Sequence, residues 1–379
     1  MKEGWVSKEL SQICRIELGR TPARKSARMW DPEKRGNNIW LSIADLPKDG
    51  DPLVCESKEF ISDDGALGIP IVPAGTLMMS FKLTIGRMAI AGKELRTNEA
   101  IACFRDLDAT QCIRDYLLWY LKAFDWELLT KGDEKIKGKT LNKAKLKAVP
   151  IILPGLEEQQ AIVDKLDRAF AGLETARANA EANLENAKEL FQSSRDNLLA
   201  GHSSDDWEET SLGELVELRY GKALDRSERS PEGNVPVFGA NGIKDWSHKS
   251  LDEGPSLIVG RKGSAGEITQ IDGPFWPLDV TYFTSHDENR VLYGFLFYLM
   301  SSLNLPSLAK GVKPGINRND VYSLDVRVPS LTEQASIVSK LDRLRIAAKD
   351  LEENFKRQLS DLDELKQSLL QKAFAGELT

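Results

Sequence analysis

What most limits the folds open to this chain is a duplication. The segment Pro154–Gly201 returns as Pro329–Gly376, 175 positions later and without a gap. Ten of the fifteen positions from Pro154 to Arg168 are identical to those from Pro329 to Arg343. The register still holds at the far end, where Gln192-Ser193 and Ala200-Gly201 answer Gln367-Ser368 and Ala375-Gly376. A gapless repeat with dissimilar sequence between its copies implies a pseudo-symmetric molecule that carries two variable modules.

Each copy has the pattern of a long helix. In the first, Ile162, Leu166, Ala169, Leu173, Ala176 and Ala180 alternate spacings of four and three, and Leu184, Ala187, Leu190, Phe191 and Leu198 extend the stripe. In the second, Ile337, Leu341, Leu344, Ala348, Leu351 and Phe355 do the same, followed by Leu359, Leu362, Leu365 and Leu369. An apolar period near 3.5 over several heptads predicts a coiled-coil seam. About 40 helical residues would span roughly 60 Å at 1.5 Å per residue. Two such helices in one chain pack most simply on each other, and relating the modules by a two-fold requires them to be antiparallel. The alternative is two helices that each cover only their own domain.

The segments between the copies are rich in Gly, Pro and short β-like runs such as Leu77-Met78-Met79-Ser80-Phe81 and Ser256-Leu257-Ile258-Val259. They correspond weakly but in order. Trp5, Leu10 and Gly19-Arg20 answer Trp207, Leu212 and Gly221-Lys222; Lys82 and Gly86 answer Lys262 and Gly266; Leu141-Asn142 answers Ile316-Asn317. The falling offset places extra residues in the loops of the first module. The fold class expected is therefore α+β: two pseudo-symmetric α/β modules separated by two long antiparallel coiled-coil helices. The expected boundaries are 1–153, 154–201, 202–328 and 329–379.

At 379 residues the chain is long enough for more than one core. Its net charge of −7 excludes a protein coated in positive charge. Residues 1–153, however, hold 25 basic and 21 acidic side chains, whereas 202–328 hold 13 and 19. Local basic loops remain open, and a DNA binder of this balance would need a more basic partner. No apolar run approaches the roughly 20 residues of a membrane span, and Met1-Lys2-Glu3-Gly4 does not begin a signal peptide, so a cytoplasmic protein is expected. Cys14, Cys55, Cys103 and Cys112 lack metal or disulfide spacing and are expected to be buried thiols. His202, His248 and His286 are scattered, so neither a metal site nor a histidine-based triad is expected.

The duplicated Pro-x-Leu-x-Glu-Gln-x-x-Ile-Val-x-Lys-Leu-Asp block, Pro154–Asp167 and Pro329–Asp342, resembles the conserved regions of type I restriction–modification specificity subunits. The opening Gly4-Trp5, the Gly19-Arg20-Thr21-Pro22 turn and the closing Leu370–Leu378 are similar to the same family. The resemblance runs through the whole chain in order. It implies two target-recognition domains, each reading one half of a bipartite double-stranded DNA site, and spacer helices that set the gap and dock two methyltransferase subunits. It also implies a non-catalytic subunit that binds no cofactor itself. S-adenosylmethionine would then belong to the methyltransferase partners, and ATP and Mg²⁺ to restriction/translocase subunits. Because target-recognition domains vary, the resemblance assigns no bases.

Candidate DNA-binding residues follow from chemistry. Arg20, Thr21, Arg24 and Lys25 lie in the densest basic stretch, which is either a solvated loop or a phosphate-contacting one, with Arg20 or Arg24 reaching guanine edges. In the second module Lys222, Arg226, Asn241 and Lys244 are weaker equivalents, and Asn241-Gly242 is equally a turn dipeptide. Gly260–Gly266 combines glycines that let backbone approach phosphate with Arg261, Lys262 and Ser264 as donors. Its counterpart, Phe81–Arg87, offers Lys82, Thr84 and Arg87; either loop is otherwise a tight turn with solvated charges. Gly132–Thr140 nearly matches a phosphate-binding loop, but its glycine spacing is one residue too long. Asn142 and Asn317 are expected to cap the turns that follow. The competing function is a coiled-coil adaptor that does not bind DNA.

Overall fold

The computed structural model describes residues 2–48, 50–130, 134, 135, 138–201 and 207–378. By internal contacts the chain divides into two units, Met1–Glu181 with Arg357–Thr379, and Ala182–Lys356.

In the first unit a five-stranded sheet runs in the order Arg15–Leu18, Ile101–Arg105, Leu77–Ser80, Met88–Ala91, Leu53–Val54. A second small sheet places Ile39–Leu41 between Glu59–Phe60, antiparallel, and Arg96–Thr97, parallel. Val6–Glu9 pairs with Pro150–Leu153, closing the module onto the start of the first long helix. The second unit repeats this plan. Its sheet order is Val216–Tyr220, Thr281–His286, Ser256–Gly260, Ile268–Ile271, and Val235–Gly239 lies between antiparallel Gly242–Ser247 and parallel Trp276–Pro277. Glu208–Ser211 pairs with Asp325–Val328. The central strands are buried on both faces, which is why they read as continuous apolar runs rather than alternations. The first unit also has Leu53–Val54 and the Glu134–Lys135/Gly138–Thr140 ribbon, so its extra residues do lie between the shared strands.

The duplicated blocks are helices of 45 residues each, Leu156–Ala200 and Leu331–Ala375. Their most repeated side chains fasten each helix to its own module. Gln159 is fully buried: its amide donates to the carbonyls of Gln111 (2.8 Å) and Pro154 (2.9 Å) and accepts from the Ile113 N–H (2.8 Å). Gln334 does the same with Arg290, Pro329 and Leu292. The Trp5 indole donates to Glu158 at 3.0 Å and the Trp207 indole to Glu333 at 3.1 Å. Asp167 accepts from the Trp119 indole, and Asp342 from the Tyr298 hydroxyl.

In the first unit Ile162, Leu166, Phe170 and Leu173 pack with Leu369, Leu370 and Ala373, and Arg177 pairs with Asp363 at 2.6 Å. In the second unit Phe191, Leu198 and Leu199 pack near Ile337 and Leu341. Start meets end in each unit, the antiparallel sense. The seam departs from the sequence stripe in places. Ala176, Leu190, Leu344, Leu351 and Leu365 are exposed, while Phe170 and Leu199, off the stripe, are buried.

Candidate nucleic-acid interface

The candidate residues of each module gather around one short segment, at 97–100 in the first unit and at 277–280 in the second. The gathering is done largely by backbone. The Arg20 N–H donates to the Thr97 carbonyl (2.9 Å), and the Lys222 N–H donates to that of Pro277 (2.9 Å). The residue before each must be glycine. A Cβ on Gly19 would lie 1.9 Å from the Thr97 oxygen, and one on Gly221 would lie 2.2 Å from the Leu278 oxygen. In both modules an indole then locks the turn: Trp40 donates to the Arg20 carbonyl and Trp276 to the Lys222 carbonyl, each at 2.9 Å.

The glycine-containing loops share a frame as well. Ser80 N–H to Arg87 O and Gly86 N–H to Ser80 O correspond to Gly260 N–H to Glu267 O and Gly266 N–H to Gly260 O. Phe81 N–H to Ala100 O and Leu141 N–H to Phe81 O correspond to Arg261 N–H to Val280 O and Ile316 N–H to Arg261 O. Asn142 accepts from the Lys145 N–H at 2.8 Å and Asn317 from the Asn319 N–H at 2.9 Å, so both are helix caps as expected. Gly132–Thr140 lies partly outside the described residues; its described backbone, Gly138–Thr140, pairs with Lys82–Leu83.

Individual side chains divide into two groups. Arg24 forms a bidentate ion pair with Glu59 and lies 4.2 Å from the Trp30 ring centroid and 4.7 Å from that of Trp40. Its guanidinium is fully engaged in holding the basic loop, so Arg24 acts as a brace. Thr21 donates to Glu99. Burial of the Glu99 carboxyl opposes its ionisation but is outweighed by Thr21, its own backbone N–H and the charges of Lys82 and Arg24, so its pKa is lowered. Arg20, Lys25, Lys222, Arg226, Lys244 and Lys262 are exposed, Thr84 too, while Lys82, Arg87, Arg261 and Ser264 are half-buried. Of the ten basic candidates among the described residues, only Arg24 has a carboxylate within salt-bridge reach. Most arginines elsewhere in the modules are paired, as in Arg15–Asp106, Arg105–Glu17, Arg219–Glu217 and Arg290–Glu208.

The second module adds two residues that sequence reasoning missed, Tyr220 and Arg318. Arg261 and Arg318 each place a guanidinium 5.2 Å from the centroid of Tyr220, which is 47% exposed and sits just before Gly221. Arg261 also donates to the Asp279 carbonyl at 2.9 Å. Two guanidiniums on one ring, with no carboxylate in salt-bridge reach among the described residues, form a concentrated positive site in an otherwise acidic module. The only available signal was positional: Arg318 follows the capping Asn317, as Lys143 follows Asn142. Asn241 occupies the turn of the Val235–Ser247 hairpin with Gly242 at φ +100°, and the stem of Lys244 lies against Gly239. The Ala240 carbonyl lies beside Gly260, so this hairpin belongs to the same cluster.

Cys14, Cys103 and Cys112 are buried and Cys55 is half-buried. His248 is exposed, whereas His286 ends a central strand, half-buried, and stacks on Tyr293. His202 lies outside the described residues. Among the described residues no group of three His, Cys, Asp or Glu side chains is placed to hold a metal ion, and no helix is long and apolar enough to cross a membrane.

Comparison with known proteins agrees with this duplicated architecture. The specificity subunit of the EcoprrI type I restriction enzyme from Escherichia coli is 23% identical over 88% of this chain and 86% of its own length. That of the StySPI enzyme from Salmonella potsdam is 27% identical over all of this chain and 90% of its own. The HsdS subunit from Thermoanaerobacter tengcongensis shares the fold, with a TM-score of 0.63 at 17% identity over 100% of this chain and 98% of that one. A chain from a structure of type I R-M complex assembly and conformational transition reaches a TM-score of 0.82 at 18% identity, covering 100% and 99%. The family model described as the type I restriction modification DNA specificity domain matches residues 2–184 and 204–360, one match per module. The chain belongs to that family of type I restriction–modification specificity subunits.

Proposed function

We propose that this chain is the DNA-recognition subunit of a type I restriction–modification complex, with each module reading one half of a bipartite double-stranded site. The supporting observation is the equivalent pair of glycine-framed loop clusters, in which the exposed cations other than Arg24 have no carboxylate within salt-bridge reach among the described residues. Phosphate contacts from such cations would position the duplex, and side chains at the loop tips would read base edges. The long helices would set the spacing of the half-sites, as half-site spacing follows protein geometry in other DNA readers. Their exposed leucines would dock two methyltransferase subunits. Those partners would supply S-adenosylmethionine chemistry on adenine, and restriction/translocase subunits would use ATP and Mg²⁺. The subunit itself would remain non-catalytic.

A gel-shift selection from random DNA, with and without the methyltransferase, tests this reading. Enrichment of a two-part sequence by the complex is expected. A complex without sequence preference would instead favour an adaptor that does not bind DNA, and S-adenosylmethionine binding by the isolated subunit would favour a modifying enzyme.

A further inference from the structure

The loop Phe81–Arg87 carries a backbone conformation its residue type disfavours. Leu83 has φ +65°, in the left-handed region that side chains with a Cβ avoid. It is the central residue of a three-residue turn closed by the Thr84 N–H on the Lys82 carbonyl at 2.9 Å. Such turns with positive φ are rare and strained. The equivalent position in the second module is Gly263, where a glycine takes the positive φ (+84°) inside the same outer frame, and the three-residue turn there falls one residue later, closed by the Ala265 N–H on the Gly263 carbonyl at 2.8 Å. A glycine would therefore serve the fold at position 83, yet the position holds a leucine.

That leucine contributes little to packing. Its side chain is 58% exposed, at the tip of a loop whose root is fixed from both sides. The Ser80 hydroxyl donates to the Thr84 carbonyl and accepts from the Arg87 N–H, and the ladder with Gly138–Thr140 holds the outer edge. Gly86 (φ +90°) closes the loop with the Trp126 ring against it. Lys82 and Arg87, with no carboxylate within salt-bridge reach among the described residues, flank the tip. An apolar side chain held out between two cations, at a conformational cost to the fold, has the composition of a base-edge contact bracketed by phosphate contacts. The apolar feature a base edge offers in the major groove is the C5 methyl of thymine.

We propose that Leu83 is a specificity-determining residue of the first module, meeting a thymine methyl in the first half-site while Lys82 and Arg87 hold adjacent phosphates. This rests on the DNA-recognition reading above and narrows it to one residue and one base feature. The second module, with Gly263 at this place, makes no such contact.

The test uses the full chain reconstituted with its methyltransferase subunits. The two half-sites are first defined by selection from random DNA, and Leu83→Gly and Leu83→Ala are then compared with the parent. Both variants should relax one thymine position of the first half-site and leave the second half-site unchanged. Leu83→Gly should also melt at the same or a higher temperature, because glycine accepts the turn. Replacing that thymine by uracil should weaken parental binding roughly fourfold, the worth of one buried methyl, and should not weaken either variant further. Unchanged selectivity in both variants, or an equal uracil effect on parent and variants, overturns the role of Leu83 while leaving the DNA-recognition reading intact. Absence of any sequence preference in the parent complex overturns both.

Discussion

At the scale of single residues, the duplication has a structural cause. Gln159 and Gln334 each satisfy one backbone N–H and two carbonyls that would otherwise be buried without partners. Gln159→Leu keeps the volume but orphans those groups, so it should lower the unfolding free energy by about 2–4 kcal/mol, measured in urea. The sequence makes the identity of these residues plain but not their task, because their partners at 111–113 and 290–292 are distant in the chain. The same limit explains Tyr220 and Arg318. Each is unremarkable alone, and only the fold brings Arg261 and Arg318 onto one ring. Arg24 shows the converse: a basic loop was legible, but its partner Glu59 and the two indoles that engage it were not. For the thiols, burial pushes Cys14, Cys103 and Cys112 up to about 12. At pH 8 their thiolate fraction is then on the order of 10⁻⁴. Alkylation followed by mass spectrometry should label the half-buried Cys55 first, and labelling of the other three should require unfolding.

At the scale of elements, the helices were the most legible part, because a period sustained over 45 residues is hard to produce otherwise. Individual seam positions were less so. Spacing alone assigns Ala176, Leu190 and Leu344 to the seam, whereas tertiary packing buries Phe170 and Leu199 instead. Strand order was not readable at all. The parallel pairing of Trp40 with Arg96 and of Val237 with Trp276 joins segments about 40–56 residues apart that no local pattern links. Because start meets end in each unit, a change of spacer length must be made in both helices. Deleting seven residues from each shortens both by about 10 Å. The spacer of the selected DNA should shrink while both half-sites stay as they were, read by the same random-DNA selection; altered half-sites would contradict the ruler role.

At the scale of the whole molecule, a net charge of −7 coexists with two clusters of cations in which, among the described residues, only Arg24 has a carboxylate within salt-bridge reach. Affinity that depends on these few side chains should be salt-sensitive in a countable way. Arg261→Gln and Arg318→Gln should each lower the slope of log affinity against log salt by about one, if each contacts a phosphate. Contributions to the second half-site only are expected, measured by competition with duplexes bearing one intact half. The two glycine-containing loops, Phe81–Arg87 and Gly260–Gly266, are closed mainly by main-chain groups, with one hydroxyl, Ser80, at the root of the first. Their outermost side chains therefore add almost nothing to folding. For heritable variation this means that Lys82, Thr84, Lys262 and Ser264 can be replaced freely: a library randomised there should yield soluble, cooperatively folding protein in nearly every member, and altered binding preference becomes reachable one substitution at a time.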